Sequence, residues 1–307
     1  MKNVSLQPPE GFLNEEVRCG FTVPTKLKKI WAIELDLLNE FDKVCRRHNI
    51  PYSVWAGTLL GAVRHQGFIP WDDDFDVCLT RENYDKLLTY ADEFKHPYFL
   101  QHALNDRKFF FGYARLRNSE TTGIIAWNKS PDYNNGIYID VFVLDGVPKN
   151  DLLLKFKIWS MQFVTRFIDL YNRDILPKSA VKKILFKPCK YIVKSLFSYE
   201  RLKKMYDSMI SLFNDDSGRI GLVTHGISGK ITAFKYNAHK EDFNDMERVK
   251  YEYINVPVPK NRNAILTHIY GNYMQYPPVE ERGKWHENII IFDPDISYKE
   301  YFAQHKE

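Results

Sequence analysis

Cysteine is scarce in this 307-residue chain: four residues, Cys19, Cys45, Cys78 and Cys189, widely scattered and with no C-x-x-C pair. That spacing excludes a zinc knuckle and argues against a disulfide framework, so a reducing compartment is expected. No uncharged run of about 18 residues occurs, and the N-terminal stretch lacks the apolar core of a signal peptide. Neither a membrane-crossing segment nor a leader is therefore expected. Glycine and proline, 15 each, are too few for a collagen or a low-complexity chain. An excess of 43 Lys+Arg over 39 Asp+Glu gives +4, too little for a dedicated nucleic-acid binder. What is present, 44% hydrophobic and 27% charged residues, describes an ordinary folded protein with ample core. The expected location is cytoplasmic, with contact at a membrane surface at most.

The pattern along the chain predicts an α+β fold. Residues 1–24 read as an irregular arm. A long helix follows from an N-cap at Thr25 to about Asn49, its apolar stripe drawn by Leu27, Trp31, Leu35, Leu38, Phe41 and Cys45. Tyr52–Ala56 reads as a strand, Leu59–Arg64 as a short helix, Phe75–Leu79 as a strand and Arg81–Phe94 as a helix. Tyr98–Gln101, Phe109–Arg117 and Ile137–Leu144 are further strand candidates, closed by the Asp145-Gly146 turn. Residues 25–150 thus form one candidate core. Residues 151–215 read as a basic helical insert, broken at Pro177 and Pro188. Within it, 151–204 hold 13 Lys+Arg against 4 Asp+Glu, a surplus of nine. Residues 216–307 carry mixed texture and a last helix, Asn261–Met274.

Chemistry concentrates in Trp71-Asp72-Asp73-Asp74-Phe75-Asp76-Val77. On a strand, Asp74 and Asp76 share one face, and two carboxylates ~7 Å apart can converge on hard divalent ions such as Mg²⁺ or Mn²⁺. A solvated acidic loop explains three consecutive aspartates equally well. Asp140 interrupts an apolar strand, and a buried carboxylate needs a partner: a metal shared with Asp74 and Asp76, or a basic neighbour. Asp145, at its turn, reads as structural. Gly57-Thr58, at a strand-to-helix junction, offers backbone N–H groups to a phosphate or makes a simple turn. Arg115 and Arg117 alternate on one strand and Arg64 follows the short helix; each can fork onto phosphate oxygens or sit at the surface. His286 is a further candidate for a base or substrate contact.

The stretch Tyr52-Ser-Val-Trp-Ala-Gly-Thr-Leu-Leu-Gly-Ala-Val-Arg-His-Gln-Gly-Phe-Ile-Pro-Trp-Asp-Asp-Asp-Phe-Asp-Val77 resembles the signature of the LicD family. That family includes bacterial phosphocholine transferases and, more distantly, fukutin-type ribitol-phosphate transferases. Ala114–Asn118 with Thr121-Thr122, Gly136–Pro148, Val256–Lys260, Ile269–Met274 and Pro277–Arg282 extend the likeness over 25–150 and about 240–286. It implies a nucleotidyltransferase-like fold, a small mixed sheet flanked by helices, here with the helical insert and with 216–307 completing the active site. Gly57 and Thr58 would match the glycine loop, Asp74 and Asp76 the metal carboxylate pair, and Asp140 the third metal carboxylate. The 16-residue gap from Thr58 to Asp74 is longer than in minimal nucleotidyltransferases, so the carboxylates follow that pattern more closely than Gly57-Thr58 does.

The implied activity is transfer of a phospho-alcohol from a CDP-alcohol, with CDP-choline leading, to a hydroxyl of a glycan or lipid-linked glycan, releasing CMP. Arg64, Arg115 and Arg117 would neutralise the diphosphate. A trimethylammonium group would need aromatic faces, for which Trp127 and Trp285 are candidates. Two other readings stand beside this one: an Asp-x-Asp metal-dependent glycosyltransferase, and a non-catalytic envelope-assembly partner on the same fold. The basic insert is expected to lie on an anionic membrane leaflet or to form a solvated cap.

Overall fold

A computed structural model describes residues 4–106, 108–125, 131–172, 180–215, 218–223, 235–283 and 289–305. The chain runs through β1 (Glu16–Arg18), β2 (Phe21–Val23), α1 (Thr25–Arg47), β3 (Ser53–Val54), α2 (Ala56–Arg64), β4 (Asp76–Thr80) and α3 (Arg81–Leu88). β5 (Tyr98–Gln101), β6 (Ala114–Asn118), β7 (Thr122–Ile125) and β8 (Ile137–Gly146) follow. Next come α4 (Asp151–Asn172), α5 (Ala180–Leu196), α6 (Tyr199–Ile210), β9 (Arg219–Gly221) and β10 (Asn237–His239). The last elements are β11 (Met246–Tyr251), β12 (Ile254–Pro259), α7 (Arg262–Tyr270), β13 (Ile289–Asp293) and α8 (Tyr298–Gln304). The architecture is α+β, with mixed sheets and helices on one chain.

The chain divides into two compact units. The first comprises 1–101, 113–143 and 241–307, the second 102–112 and 144–240. In the first, β3 pairs antiparallel with β4, β4 lies beside β8, and β8 pairs antiparallel with β6, which pairs with β5. Register sets Arg115 opposite Asp140 and Arg117 opposite Tyr138. α1 is buried along its whole middle turn, Ile30 to Leu38, so it is a core helix and not a surface amphipath. Two acids are buried with that run. Asp36 is satisfied by Ser5, Leu6 and Tyr98; Glu34 is not.

Several boundaries differ from the sequence reading. Pro24, with φ −75° and ψ 156°, takes the N-cap position expected for Thr25. α2 begins at Ala56, which puts Gly57 and Thr58 in its first turn instead of before it. β6 begins at Ala114, because Phe109 lies buried in a turn ahead of it. α3 stops at Leu88. The hairpin β11–β12 was not foreseen, since its outward residues are charged and its strands carry Pro257 and Pro259.

In the second unit α4 packs on α5 and α6. Its core joins Leu154, Met161 and Ile168 to Val193, Tyr199 and Leu202. α5 continues through Pro188, where a break was expected. Lys157 is buried but satisfied, donating to the carbonyls of Gly146 (2.7 Å) and Leu212 (2.8 Å). Asp145 is structural, accepting from Asn214 Nδ2 at 2.9 Å. No helix among the described residues is long and apolar enough to cross a membrane.

Candidate active site

The acidic loop is seated on α1. Trp31 Nε1 donates to the carbonyl of Asp72 at 2.9 Å, and its ring stacks on Phe68 at 4.7 Å. Phe68, Phe75 and Tyr251 meet edge to face at 5.1–5.8 Å beneath the loop. Glu252, in the β11–β12 turn, clamps the loop's start: it accepts from Phe68 N (3.1 Å) and Arg18 (2.5 and 2.9 Å), and its own N–H donates to Gln66. Glu34 lies one helical turn beyond Trp31, so it shares a face with the residue that holds the loop. It is fully buried, and neither carboxylate oxygen has a hydrogen-bond partner.

α2 and β4 meet at the loop's other end. Thr58 Oγ1 accepts from the Asp76 backbone N–H at 2.8 Å, fixing the first residue of β4 to the first turn of α2. A Cβ at Gly57 would stand 3.3 Å from Asp72 Oδ2, so glycine lets the carboxylate approach the helix N-terminus, where negative charge is favoured. Asp74 precedes β4 and is exposed; Asp76 opens it and is buried. The Asp140 N–H donates to Phe75 O at 2.9 Å, which sets Asp140 and Asp76 on adjacent strands.

The arginines separate in role. Arg115 donates from Nε to Asp140 Oδ1 at 2.6 Å, its guanidinium 3.8 Å from the Tyr138 ring centre. Asp140 thus has the basic neighbour that the sequence left open. Arg117 shares that face of β6 but runs into the interior, donating to Gln101 Oε1 (2.5 Å) and Gly136 O (2.6 Å) while fully buried. Tyr138 covers it at 4.7 Å, so Arg117 is a structural brace in place of the expected phosphate contact. Arg64 turns to the C-terminal part of the same unit, donating to Tyr273 O at 2.8 Å and lying 5.1 Å over Tyr276. His286, Trp127 and Trp285 lie outside the described residues.

The carboxylates disturb one another. Burial pushes the Asp76 pKa well up, Asp140 and Asp72 push it further, and Arg115 pulls it back. Asp74 reaches solvent, but crowding by protein raises it, as do Asp72, Asp76, Asp73 and Glu34. Glu34 rises by burial first, then by Asp73 and Asp72. Burial opposes the charge of Arg115 most strongly, but Asp140, Tyr113 and Tyr138 together outweigh it and hold the guanidinium protonated.

Among the described residues no three His, Cys, Asp or Glu side chains form a closed cage for a metal ion. The donor set nevertheless fits a hard divalent ion. Mg²⁺ is usually held by one or two carboxylates and completed by substrate phosphates and water; Asp74 and Asp76 would supply the carboxylates, and the buried carboxyl of Glu34, with both oxygens unpartnered, stands behind them. Sequence reasoning missed Glu34 and Glu252. Glu34 is one of two acids, with Asp36, in the otherwise apolar run Ile30–Leu38, and the run does not say which of the two lacks a partner; nothing local marked Glu252.

Residues 49–185 match the family model described as LicD/FKTN/FKRP, nucleotidyltransferase domain. Those residues are similar to the LicD-family domain. The matched segment contains Thr58, the acidic loop, Arg115 and Asp140, while Glu34 and the β11–β12 clamp lie outside it. The chain is 28% identical over 265 residues to the lipopolysaccharide cholinephosphotransferase LicD of Haemophilus influenzae, covering 85% of this chain and 96% of that protein. An uncharacterized protein of Rickettsia typhi is 27% identical over 172 residues, 55% of this chain and 53% of its own length. One of Rickettsia prowazekii is 47% identical over 47 residues, 15% of this chain and 18% of its own.

Proposed function

We propose that this protein is a phosphotransferase that moves a phospho-alcohol, phosphocholine first, from a CDP-alcohol to a hydroxyl of a cell-surface glycan. The observation that carries the reading is the carboxylate group of β4, β8 and their loop, in a segment similar to the LicD-family domain and in a chain whose Haemophilus influenzae relative is a cholinephosphotransferase. The work takes place in the cytoplasm, where the four free cysteines stay reduced.

Asp74 and Asp76 would hold Mg²⁺ or Mn²⁺, with Asp140 close behind them. The ion supplies Lewis-acid stabilisation of phosphoryl oxygens and of the departing phosphate. The chain's own groups do the rest. Thr58 fixes the start of β4 at Asp76, and the first turn of α2 would lend its positive end to the site. Arg115 sets the orientation of Asp140. The acceptor oxygen forms a bond to the β-phosphorus as the bond from that phosphorus to the bridging oxygen breaks. CMP leaves with the bridging oxygen, and the hydroxyl proton passes to Asp76 or Asp140.

The nucleotide left behind decides between chemistries. Purified protein, Mg²⁺, CDP-choline and a cell-envelope glycan fraction should give CMP and a phosphodiester-linked product. A nucleoside diphosphate would instead indicate a glycosyltransferase, and pyrophosphate from a triphosphate a nucleotidyltransferase. No turnover of any CDP-alcohol across a panel would favour a non-catalytic partner. Ethanolamine, glycerol and ribitol donors belong in that panel.

A further inference from the structure

α4 is apolar on two opposite faces. One face, with Leu154, Met161 and Ile168, fills the core of the second unit. The other carries Leu152, Phe156, Trp159 and Phe163, at steps of four, three and four, and ends at half-buried Phe167, which also packs on the core. That spacing gathers them into one narrow stripe on the far side of the helix. Leu152 is 72% exposed, Phe156 53% and Trp159 60%. Trp159 stacks on Phe163 at 5.8 Å, Phe163 meets Phe167 at 5.0 Å, and Phe167 meets Phe197 at 6.0 Å. The aromatic path therefore continues from α4 to the end of α5.

Basic residues border this path. Lys155 and Arg166 flank the stripe on α4. On α5, Lys187, Lys190 and Lys194 fall three and four apart on one face, and Lys194 lies 5.1 Å over Tyr171 of α4. Residues 151–204 hold the surplus of nine positive charges while the rest of the chain is net acidic.

We infer that the outer face of α4, with the adjoining edge of α5, is a docking surface for an anionic lipid bilayer. Aromatic and aliphatic side chains in a single stripe along a convex helix match the shallow insertion of an interfacial helix, with tryptophan at headgroup depth. The lysines match an acidic leaflet, whose potential acts within a Debye length of the surface. A second copy of the chain is the poorer occupant, because a two-fold contact on this face would set lysine against lysine. The surface places the enzyme where lipid-linked glycans are met, but it is argued without reference to the reaction.

The test uses the full-length protein and vesicles of phosphatidylcholine, alone or with phosphatidylglycerol. The protein should co-sediment with the anionic vesicles, remain in solution with the neutral ones, and detach as salt is raised. Phe156→Ser with Trp159→Ser should bind roughly tenfold more weakly. Both side chains are exposed, so the melting temperature should not move. Turnover of a soluble acceptor should also stay unchanged, which separates this inference from the reaction. Equal recovery with both vesicles, or unchanged binding by the double variant, overturns it. So does a dimer, seen by light scattering, that the double variant dissolves.

Discussion

Replacing Glu34 by glutamine should stabilise the metal-free protein, which is unusual for a polar substitution in a core helix. The carboxyl is fully buried, has no hydrogen bond to either oxygen, and stands near the charges of Asp73 and Asp72. Its folded pKa lies well above the usual range, burial being the main cause. Below about pH 4.3 both folded and unfolded chains hold this proton, and the site costs nothing extra. Above that, the unfolded chain releases it and the folded chain does not, so stability falls by about 1.4 kcal/mol per pH unit until the folded pKa is reached. Glutamine removes that slope, but its amide hydrogens need partners at a cost of about 1–3 kcal/mol. Once the slope exceeds that cost the variant should melt higher, by about 2–4 °C for each kcal/mol gained. The assay is differential scanning fluorimetry of both proteins in chelator from pH 5 to 7.5, and the advantage of the variant should widen as pH rises. A variant less stable at pH 7.5, or a difference independent of pH, would refute the reasoning.

Asp74→Asn and Asp76→Asn should each abolish turnover, leave the melting temperature in metal-free buffer no lower, and weaken divalent-ion binding by calorimetry; unchanged affinity in either removes that residue from the ligand set. Arg115→Gln leaves Asp140 facing the other carboxylates without its ion pair and should cost about 3–5 kcal/mol in thermal unfolding. Thr58→Val removes the acceptor for the Asp76 N–H and should cost about 1–3 kcal/mol, with a larger loss in kcat than in KM if the hydroxyl fixes the carboxylate. Gly61→Ala would set a Cβ 2.5 Å from the Gly67 carbonyl and should block soluble expression or lower the melting point sharply, whereas Gly57→Ala, at 3.3 Å from a movable carboxylate oxygen, should be milder.

By itself the sequence determined the local elements and the chemical type of the site. Period and breakers were enough for α1, β5 and β8, because a helix stripe or an apolar strand is written in neighbouring residues. The acidic run and Asp140 stood out because carboxylates in an apolar strand or at a strand entrance are costly without a partner. Only the tertiary structure decided the partners. Arg115 and Arg117 look equivalent on one strand, yet register opposite β8 gives Arg115 to Asp140, while Gln101 and Gly136 take Arg117 inward. Thr58 and Asp76 are joined by a hydrogen bond across 18 residues, and Glu252 reaches Phe68 across 184, distances over which sequence spacing carries no information. Glu34 was legible as a helical residue in an apolar run but not as the acid left without a hydrogen bond. Its surroundings come from a loop some forty residues away that Trp31 pins to the same face, and burial is a property of what folds over a residue, which its own neighbours in sequence do not encode.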